Sequence, residues 1–328
     1  MNIKVSHESP ICLLEDSLQY NDYDYALVHL LDQNEDYRKF YERSAVNDRT
    51  IYLDNSIFEL GDPADWKLMH KWVKRLKPTY YMVPDALEDA DKTIMNWSNW
   101  HQMVEAVEDE SETIHRSPRD SILKGNAPGT IGVVQGKDWN ELVQCYKFMS
   151  EMADMVAISF DYSYYLWTGS TNIYNANAAE EWLKTLTDET CDYVRAGHAQ
   201  VDPVSCDICR DRVARYSSGR QAFIDRLIHE KIWNWNKPHH LLGCSLPVEF
   251  KHYVNNNVHN IVSVDTSNPV VAAIKGYKYY DGFGLKFKPT EKLADLISYG
   301  ENKSEGEINT LKHLTDYNTK AFKRLINR

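Results

Sequence analysis

Short apolar segments that end directly in an aspartate recur along this chain of 328 residues. The three clearest cases are residues 50–54, 155–161 and 260–265, which end in Asp54, Asp161 and Asp265. A short continuous apolar run is typical of a strand that is buried on both faces of a parallel sheet. Because α/β folds place their chemistry at the carboxyl ends of such strands, the repetition indicates a common site. Each acid taken alone is equally well an ordinary turn residue.

Helical segments separate most of these strands, as the amphipathic pattern of residues 64–76 illustrates with Trp66, Met69, Trp72 and Leu76 on one face. This alternation predicts an α/β fold, namely a (β/α)8 TIM barrel that forms a single domain over residues 1–328. Residues 162–238 are predicted to be a helical insertion in the second half, and residues 300–328 a C-terminal helix. An open doubly wound sheet is the alternative, but no G-x-G-x-x-G follows the first strand.

Two further strands are predicted at the ends of this pattern. Residues 25–30 are predicted to be a central strand that precedes a helix near residues 34–45. Residues 277–283 are predicted to be the last strand of the chain.

The composition favours a soluble globular protein, with 43% hydrophobic and 26% charged residues. No segment has the length of a membrane span, the N-terminus lacks the apolar core of a signal peptide, and six cysteines do not form a disulfide framework. We therefore expect a cytoplasmic protein without membrane partners. The net charge of −11 argues against a general polyanion-coating protein but allows a local basic groove. Candidates for such a groove are residues 116–124 and the C-terminal helix, whose cations equally suit a solvated face.

In a barrel, the polar residues at the strand ends converge on one face. They are Asp54, Asp85, Gln135, Ser159, Asp161, Gly243 and Asp265. Two aspartates can take the two roles that a displacement at a sugar carbon requires. One acts as the nucleophile, and the other transfers protons. A carboxylate and an amide, here Asp85 and Gln135, are the groups that would hold a guanine-like edge. Phe58 could then cover one face of the base.

Three segments resemble the tRNA-guanine transglycosylases, in that family's order. Leu53-Asp54-Asn55-Ser56-Ile57-Phe58 is similar to their Asp-Ser-Gly-Gly-(Tyr/Phe)-Gln segment, and Gly132-Val133-Val134-Gln135-Gly136 to their Gly-Ile-Val-Gln-Gly strand. Residues 241–250 resemble their Leu-Met-Gly-Val-Gly-x-Pro-x-Asp-Leu turn, and Asp265 follows where that family keeps its nucleophile.

Further segments resemble the phage-encoded branch of this superfamily, the DNA-guanine transglycosylases of the DpdA type, which insert 7-deazaguanines into viral DNA. These segments are residues 6–10, 53–61, 84–87 and 160–163. The resemblance implies two partners, namely DNA with a single-stranded or flipped guanine nucleotide and a free 7-deazaguanine base. It implies no cofactor for the chemistry, and the host cytoplasm as the location if the chain is phage-encoded.

The resemblance also implies a role for each site residue. Asp265 would attack C1′ of the target nucleotide, and Asp54 would act as the general acid and base. Asp85 and Gln135 would read the base edge, while Phe58 and Leu242 would sandwich the base unless they pack in the core. The other substrate-binding candidates are Asn55, Ser56, Gly136, Ser159, Asp161 and Gly243.

The chain departs from the family at two places. Residues 157–162 replace the family's Gly-Gly-Leu-Ala-Val-Gly strand, and no cysteine follows Asp265, where that family keeps its zinc ligands. The insertion instead carries a candidate structural zinc set, Cys191, His198, Cys206 and Cys209, which includes one Cys-x-x-Cys pair.

Three other functions compete with DNA modification. The first is the same chemistry on tRNA, and the second is a barrel that binds a nucleobase or nucleic acid without catalysis. The third is a glycoside hydrolase, which needs its two carboxyl groups about 5 to 9.5 Å apart.

Overall fold

Residues 2–63, 65–112, 127–168, 207–244, 246–279 and 293–327 are described by a computed structural model. Within these ranges eight parallel strands alternate with helices, as in a (β/α)8 TIM barrel, which confirms the predicted fold class. The strands are β1 Lys4–Ser6, β2 Asp24–Leu27, β3 Ile51–Asp54, β4 Tyr80–Met82, β5 Gly129–Val133, β6 Met155–Ser159, β7 His239–Leu242 and β8 Ile261–Asp265. Their order in the sheet is β1-β8-β7-β6-β5-β4-β3-β2.

The helices connect and cover these strands, and a 3-10 turn at Ile11–Leu13 precedes the first of them. In the first half they are α1 Leu14–Tyr20, α2 Val28–Gln33, α3 Glu35–Val46, α4 Ile57–Leu60, α5 Trp66–Leu76, α6 Ala90–Glu112 and α7 Trp139–Met152. In the second half they are α8 Ser163–Thr168, α9 Asp207–His229, α10 Glu249–Asn255, α11 Asn268–Ile274, α12 Leu293–Leu296 and α13 Glu305–Ile326. No helix within the described ranges combines the length and the apolar character that crossing a membrane requires.

The chain divides into two compact units, and the boundary falls within β6. Residues 23–157 form the middle unit, which contains β2 to β5 and most of β6. Residues 1–22 and 158–328 form the terminal unit, which contains β1, β7 and β8.

Bulky aromatic side chains fill the core of the middle unit. Strand pairing sets Tyr25 beside Tyr52 and Tyr52 beside Tyr80, so that tyrosines succeed one another across three strands. Helix α5 buries Met69, Trp72 and Leu76, as its amphipathic pattern predicts. Trp66 is 41% exposed, because it is the first residue of α5, directly after the Asp65 cap, and not a member of the buried stripe.

Strand β1 and helix α13 close the terminal unit. Strand β1 pairs with β8 in a register that sets Ser6 beside Asp265. At the other end of β1, the Ile3 amide donates to Asn327 Oδ1 at 2.7 Å and the Asn327 side chain donates back to the Ile3 carbonyl at 3.3 Å. The two ends of the chain are therefore joined through one side-chain amide.

Of the two strands predicted at the ends of the pattern, the first is shorter than predicted and the second is not formed by residues 277–279. Strand β2 stops at Leu27, and residues 28–30 begin helix α2. Residues 277–279 form no strand, because the backbone groups of Tyr277 and Tyr279 bond to the side chain of Asn318 on α13. Residues 280–283 of that prediction lie outside the described residues.

Candidate active site

Asp54 ends strand β3 in the middle unit, and hydrogen bonds from Tyr25 and Ser56 orient its carboxylate. The Tyr25 hydroxyl donates to Asp54 Oδ2, and the backbone amide of Ser56 donates to Asp54 Oδ1. The carboxylate is half-buried, so it is oriented but still accessible to solvent. An oriented and accessible carboxylate is suited to proton transfer.

Asn55 and Ser56 are buried in the turn that follows Asp54. Ser56 has a φ of 63°, a left-handed conformation that starts helix α4. This turn directs Phe58 outward, where the side chain is 44% exposed, so core packing does not explain Phe58. An exposed aromatic ring beside a polar strand end is suited to stacking on a planar ligand.

Asp85 is the centre of a buried polar trio with Asn55 and Gln135. Asn55 Nδ2 donates to Asp85 Oδ1 at 2.7 Å, and Gln135 Nε2 donates to Asp85 Oδ2 at 2.6 Å. Both amide oxygens are also fixed, because Asn55 Oδ1 accepts from the Ile57 amide at 3.1 Å and Gln135 Oε1 accepts from the Glu88 amide at 2.9 Å. The trio therefore has one defined orientation, with both carboxylate oxygens already holding a donor.

Two opposing effects act on the pKa of Asp85. Burial raises it above the ordinary range of an aspartate, and the hydrogen bonds from Gln135 and Asn55 counteract part of that rise. A carboxylate has about four acceptor sites, so Asp85 keeps acceptor capacity for a ligand beside the bonds from Asn55 and Gln135.

Gly136 and Cys145 hold the backbone on which Gln135 stands. The Gln135 amide donates to Cys145 Sγ at 3.3 Å, and burial raises the pKa of that thiol to about 12. A Cβ at position 136 would lie 2.7 Å from the Leu142 nitrogen, so the close approach of α7 requires glycine. Gly136 therefore has a packing role beside Gln135.

Asp265 ends strand β8 in the terminal unit, and its side chain is 7% exposed. His240 Nε2 lies 3.0 Å from Asp265 Oδ1, and the Gly243 amide donates to Oδ1 at 3.2 Å and to Oδ2 at 3.3 Å. On the other side of the imidazole, Nδ1 lies 2.9 Å from Ser263 Oγ. A neutral imidazole that carries its proton on Nε2 satisfies both contacts, since the serine hydroxyl then donates to Nδ1.

The two oxygens of Asp265 are consequently not equivalent. Among the described residues, Oδ1 takes two donors, whereas Oδ2 takes only the longer bond from the Gly243 amide. Because hydrogen bonds withdraw electron density from an oxygen, Oδ2 is the better nucleophile of the two. The arrangement suits a carboxylate that attacks an electrophilic carbon while its other oxygen stays anchored.

Gly243 adopts a left-handed conformation with a φ of 62°, and a Cβ at this position would clash with the Phe160 ring. Glycine is therefore required where the chain leaves β7, and the conformation directs the Gly243 amide to Asp265. Leu242, the residue before it, is half-buried.

Ser159 and Asp161 form a separate pair at the end of β6. The Ser159 hydroxyl donates to Asp161 Oδ1 at 2.5 Å, and the Ser159 amide donates to the Tyr162 hydroxyl at 3.1 Å. Strand β6 ends at Ser159, so Asp161 lies in the following turn and not at the strand tip as predicted. The pair is half-buried, and its polar atoms stabilise the turn.

Each unit holds its own set of the predicted site residues. In the middle unit Asp85 contacts both Asn55 and Gln135, and Asp54 lies in the same turn as Asn55. Asp265 and Gly243 are in contact in the terminal unit.

Three residues that bear on these groups were missed by sequence reasoning. Tyr25 contacts Asp54, His240 contacts Asp265, and Arg220 donates to the carbonyls of Leu242 and Gly243. A signal existed for His240, because its partner Ser263 lies two residues before Asp265 and so faces the same side of β8.

The candidate zinc set remains a prediction. Cys191, His198 and Cys206 lie outside the described residues, as does the side chain of Cys209. Among the residues that the structure does describe, no group of three or more His, Cys, Asp or Glu side chains could hold a metal ion.

Of the two candidate phosphate-binding segments, the structure describes only the C-terminal helix. Residues 116–124 lie outside the described residues. On α13, Lys312 pairs with Asp16 at 3.1 Å, Lys320 pairs with Asp316 at 2.7 Å, and Lys323 pairs with Asp22. These ion pairs favour a structural role over phosphate binding for the three lysines.

Comparison with known proteins adds no assignment, because neither a family model nor a curated protein matches the chain.

Proposed function

We propose that the protein is a DNA-guanine transglycosylase, which exchanges guanine in DNA for a 7-deazaguanine base through a covalent aspartyl intermediate. The observation that carries the proposal is the environment of Asp265. This buried carboxylate is anchored on Oδ1 by His240 and Gly243 and leaves Oδ2 as the more nucleophilic oxygen. A displacement at a sugar carbon needs a carboxylate in that state.

In the first half of the proposed reaction, Asp265 Oδ2 attacks C1′ of the target nucleotide. The C1′–N9 bond breaks, an ester forms between Asp265 and the sugar, and the departing guanine takes a proton from Asp54. In the second half, Asp54 takes the N9 proton of the incoming deazaguanine, N9 attacks C1′, and the ester bond breaks. Atoms and protons balance, and no cofactor is consumed.

The buried trio supports guanine-type recognition. The free lone pairs of Asp85 can accept from the N1–H and the amino group of a guanine edge, and Gln135 Nε2 keeps one N–H for O6. The exposed ring of Phe58 can cover the base. The proposal requires Asp54, Asp85 and Asp265 to act on the same nucleotide.

Exchange of labelled guanine into nucleic acid tests the reaction without knowledge of the natural 7-deazaguanine. Purified protein would be incubated with labelled guanine and either single-stranded DNA or tRNA, and incorporation would be measured in the wild type, Asp265→Ala and Asp225→Ala. Asp225 is the matched control, because it is a partly exposed aspartate that pairs with His252. Label in DNA that is lost only with Asp265→Ala is the expected result.

Other outcomes have equally defined meanings. Label in tRNA alone would preserve the chemistry and change the substrate. Incorporation by Asp265→Ala at the wild-type rate would exclude the proposed nucleophile. Tight guanine binding without exchange into either nucleic acid would favour a barrel that binds without catalysis.

A further inference from the structure

Arg220 lies on α9, and its side chain is fully buried with every donor in use. A guanidinium has five N–H donors, and five hydrogen bonds account for them. They run to Glu249 Oε1 at 2.6 Å, Glu249 Oε2 at 3.1 Å, the Ile158 carbonyl at 3.3 Å, the Leu242 carbonyl at 2.9 Å and the Gly243 carbonyl at 3.1 Å. Lysine cannot reproduce this planar set of contacts.

The partner of Arg220 is itself fixed from several sides. Glu249 is fully buried on α10, and Tyr253, one turn further along, donates to Glu249 Oε1 at 2.6 Å. The side chain of Gln221 donates to the Glu249 carbonyl at 3.1 Å. A buried ion pair contributes little net stability compared with apolar packing, so its value here must be sought in what it orients.

What it orients is the peptide group that faces the candidate nucleophile. The Leu242 carbonyl and the Gly243 amide belong to one planar peptide unit, and in a trans peptide they point in opposite directions. Arg220 donates to the carbonyl end, and the amide end donates to Asp265. The peptide is thus held between a cation and a carboxylate, with its dipole aligned to both charges.

The left-handed conformation of Gly243 makes this clamp necessary. The φ of 62° allows the following peptide to rotate with little steric resistance, because glycine carries no Cβ. Arg220 also binds the Gly243 carbonyl, so it fixes the peptide units on both sides of the glycine. Without the guanidinium, the carbonyl ends of both peptides would lose the contacts to Arg220 that fix them.

We propose that Arg220 is a positioning residue, which fixes the Leu242–Gly243 peptide so that its N–H anchors Asp265 for attack on the sugar. As a statement about catalysis this rests on the proposed transglycosylase function. The geometric part of the proposal concerns only how the Gly243 amide is held, and hydrogen exchange at that amide can be measured without any substrate.

The test compares Arg220→Lys and Glu249→Gln with the matched control Arg226→Lys. Arg226 lies on the same helix but pairs with Glu230 at the surface, at 2.7 Å, so its replacement changes the side chain without touching β7. Hydrogen exchange at the Gly243 amide would be measured by mass spectrometry in each folded variant, together with kcat and KM for labelled-guanine exchange. If Arg220 had only a structural role, its replacement would change neither the hydrogen exchange at the Gly243 amide nor kcat per folded molecule.

We expect Arg220→Lys to lose protection at the Gly243 amide and to lower kcat by about 10²-fold, with KM for the nucleic acid unchanged. Glu249→Gln should give a smaller effect of the same kind, and it keeps the test decisive if Arg220→Lys does not fold. Unchanged protection at Gly243 in the folded variants would overturn the proposal. Lost protection in the variants, with no guanine exchange by the wild type, would leave the geometry intact and refute the enzymatic function.

Discussion

Asp85 is a residue at which burial and hydrogen bonding act in opposite directions. Its surroundings disfavour the charged carboxylate, yet each of its oxygens accepts a hydrogen bond from a side-chain amide, that of Asn55 or that of Gln135. The oxygen of each of these amides accepts a hydrogen bond from a backbone N–H. Neither Asn55 nor Gln135 can turn its amide over without leaving a backbone N–H unpaired. The trio is therefore arranged for an acceptor at position 85 and for no other kind of group.

Asp85→Asn should accordingly weaken both the fold and base binding. The new NH2 group would face an existing N–H donor, and one buried donor left unpaired costs about 1–3 kcal/mol. Urea unfolding of Asp85→Asn and of the exposed control Asp36→Asn would measure this cost. Titration with guanine should show an affinity about 10- to 100-fold lower, because one acceptor oxygen becomes a donor and one hydrogen bond to a charged acceptor is lost. Unaltered guanine affinity would remove Asp85 from the proposed base site.

Residues at strand ends were predictable because their position follows from a simple pattern. An aspartate that directly follows an apolar run identified Asp54 and Asp265, whereas the same pattern misplaced Asp161, which lies two residues beyond β6. Arg220 carries no such signal. Its sequence neighbours form an ordinary polar helix, and its role arises only when α9 packs beside β7 and α10.

At the scale of elements, the errors occurred where an apolar run is compatible with two structures. The pattern of residues 25–30 predicted one buried strand, but helix α2 begins directly after Leu27. The first four residues of α2 are buried as well. A short apolar run does not distinguish a buried strand from a buried helix. The final strand failed for another reason, since Asn318 supplies the hydrogen bonds that a neighbouring strand would otherwise supply.

Asn318 should therefore be among the most sensitive polar positions of α13. Its side chain is fully buried and bonds to the Tyr279 amide at 3.0 Å, the Tyr277 carbonyl at 2.9 Å and the Pro269 carbonyl at 3.2 Å. Asn318→Ala removes all three partners, so we expect a loss of at least ~2 kcal/mol in the free energy of unfolding. The exposed Asn309→Ala on the same helix is the control for helix propensity. Equal stability of the two variants in urea would contradict this account.

For the molecule as a whole, the regular alternation of strands and helices was sufficient to predict the (β/α)8 fold. The alternation does not reveal that the chain divides into two compact units within β6, because that depends on contacts between distant segments. Nor does it reveal how the terminal unit is completed by β1, which pairs with β8 from the opposite end of the sequence.

This closure of the terminal unit also makes its stability depend on pH. His7, directly after β1, packs against Tyr20 and Phe322, with ring centroids 5.7 Å and 5.5 Å away, and burial together with the charge of Lys323 lowers its pKa to about 3. His239 at the start of β7 stacks on Trp233 at 3.7 Å, and burial lowers its pKa to about 3 as well. Both histidines are therefore neutral in the folded protein at pH 5 and largely protonated in the unfolded chain.

Between pH 6.5 and 3 the unfolded state binds more protons than the folded state. The stability that depends on the two neutral histidines is therefore fully present above pH 6.5 and falls as the pH is lowered through that interval. Each histidine should cost about 2 kcal/mol at pH 5 relative to pH 7. Urea unfolding at pH 7, 6 and 5 would measure the loss, and His7→Phe should remove about half of the part that the two histidines cause. The control is His313→Gln, which replaces an exposed histidine of α13. A pH dependence that is the same in the wild type and in His7→Phe would show that protonation of His7 does not oppose folding.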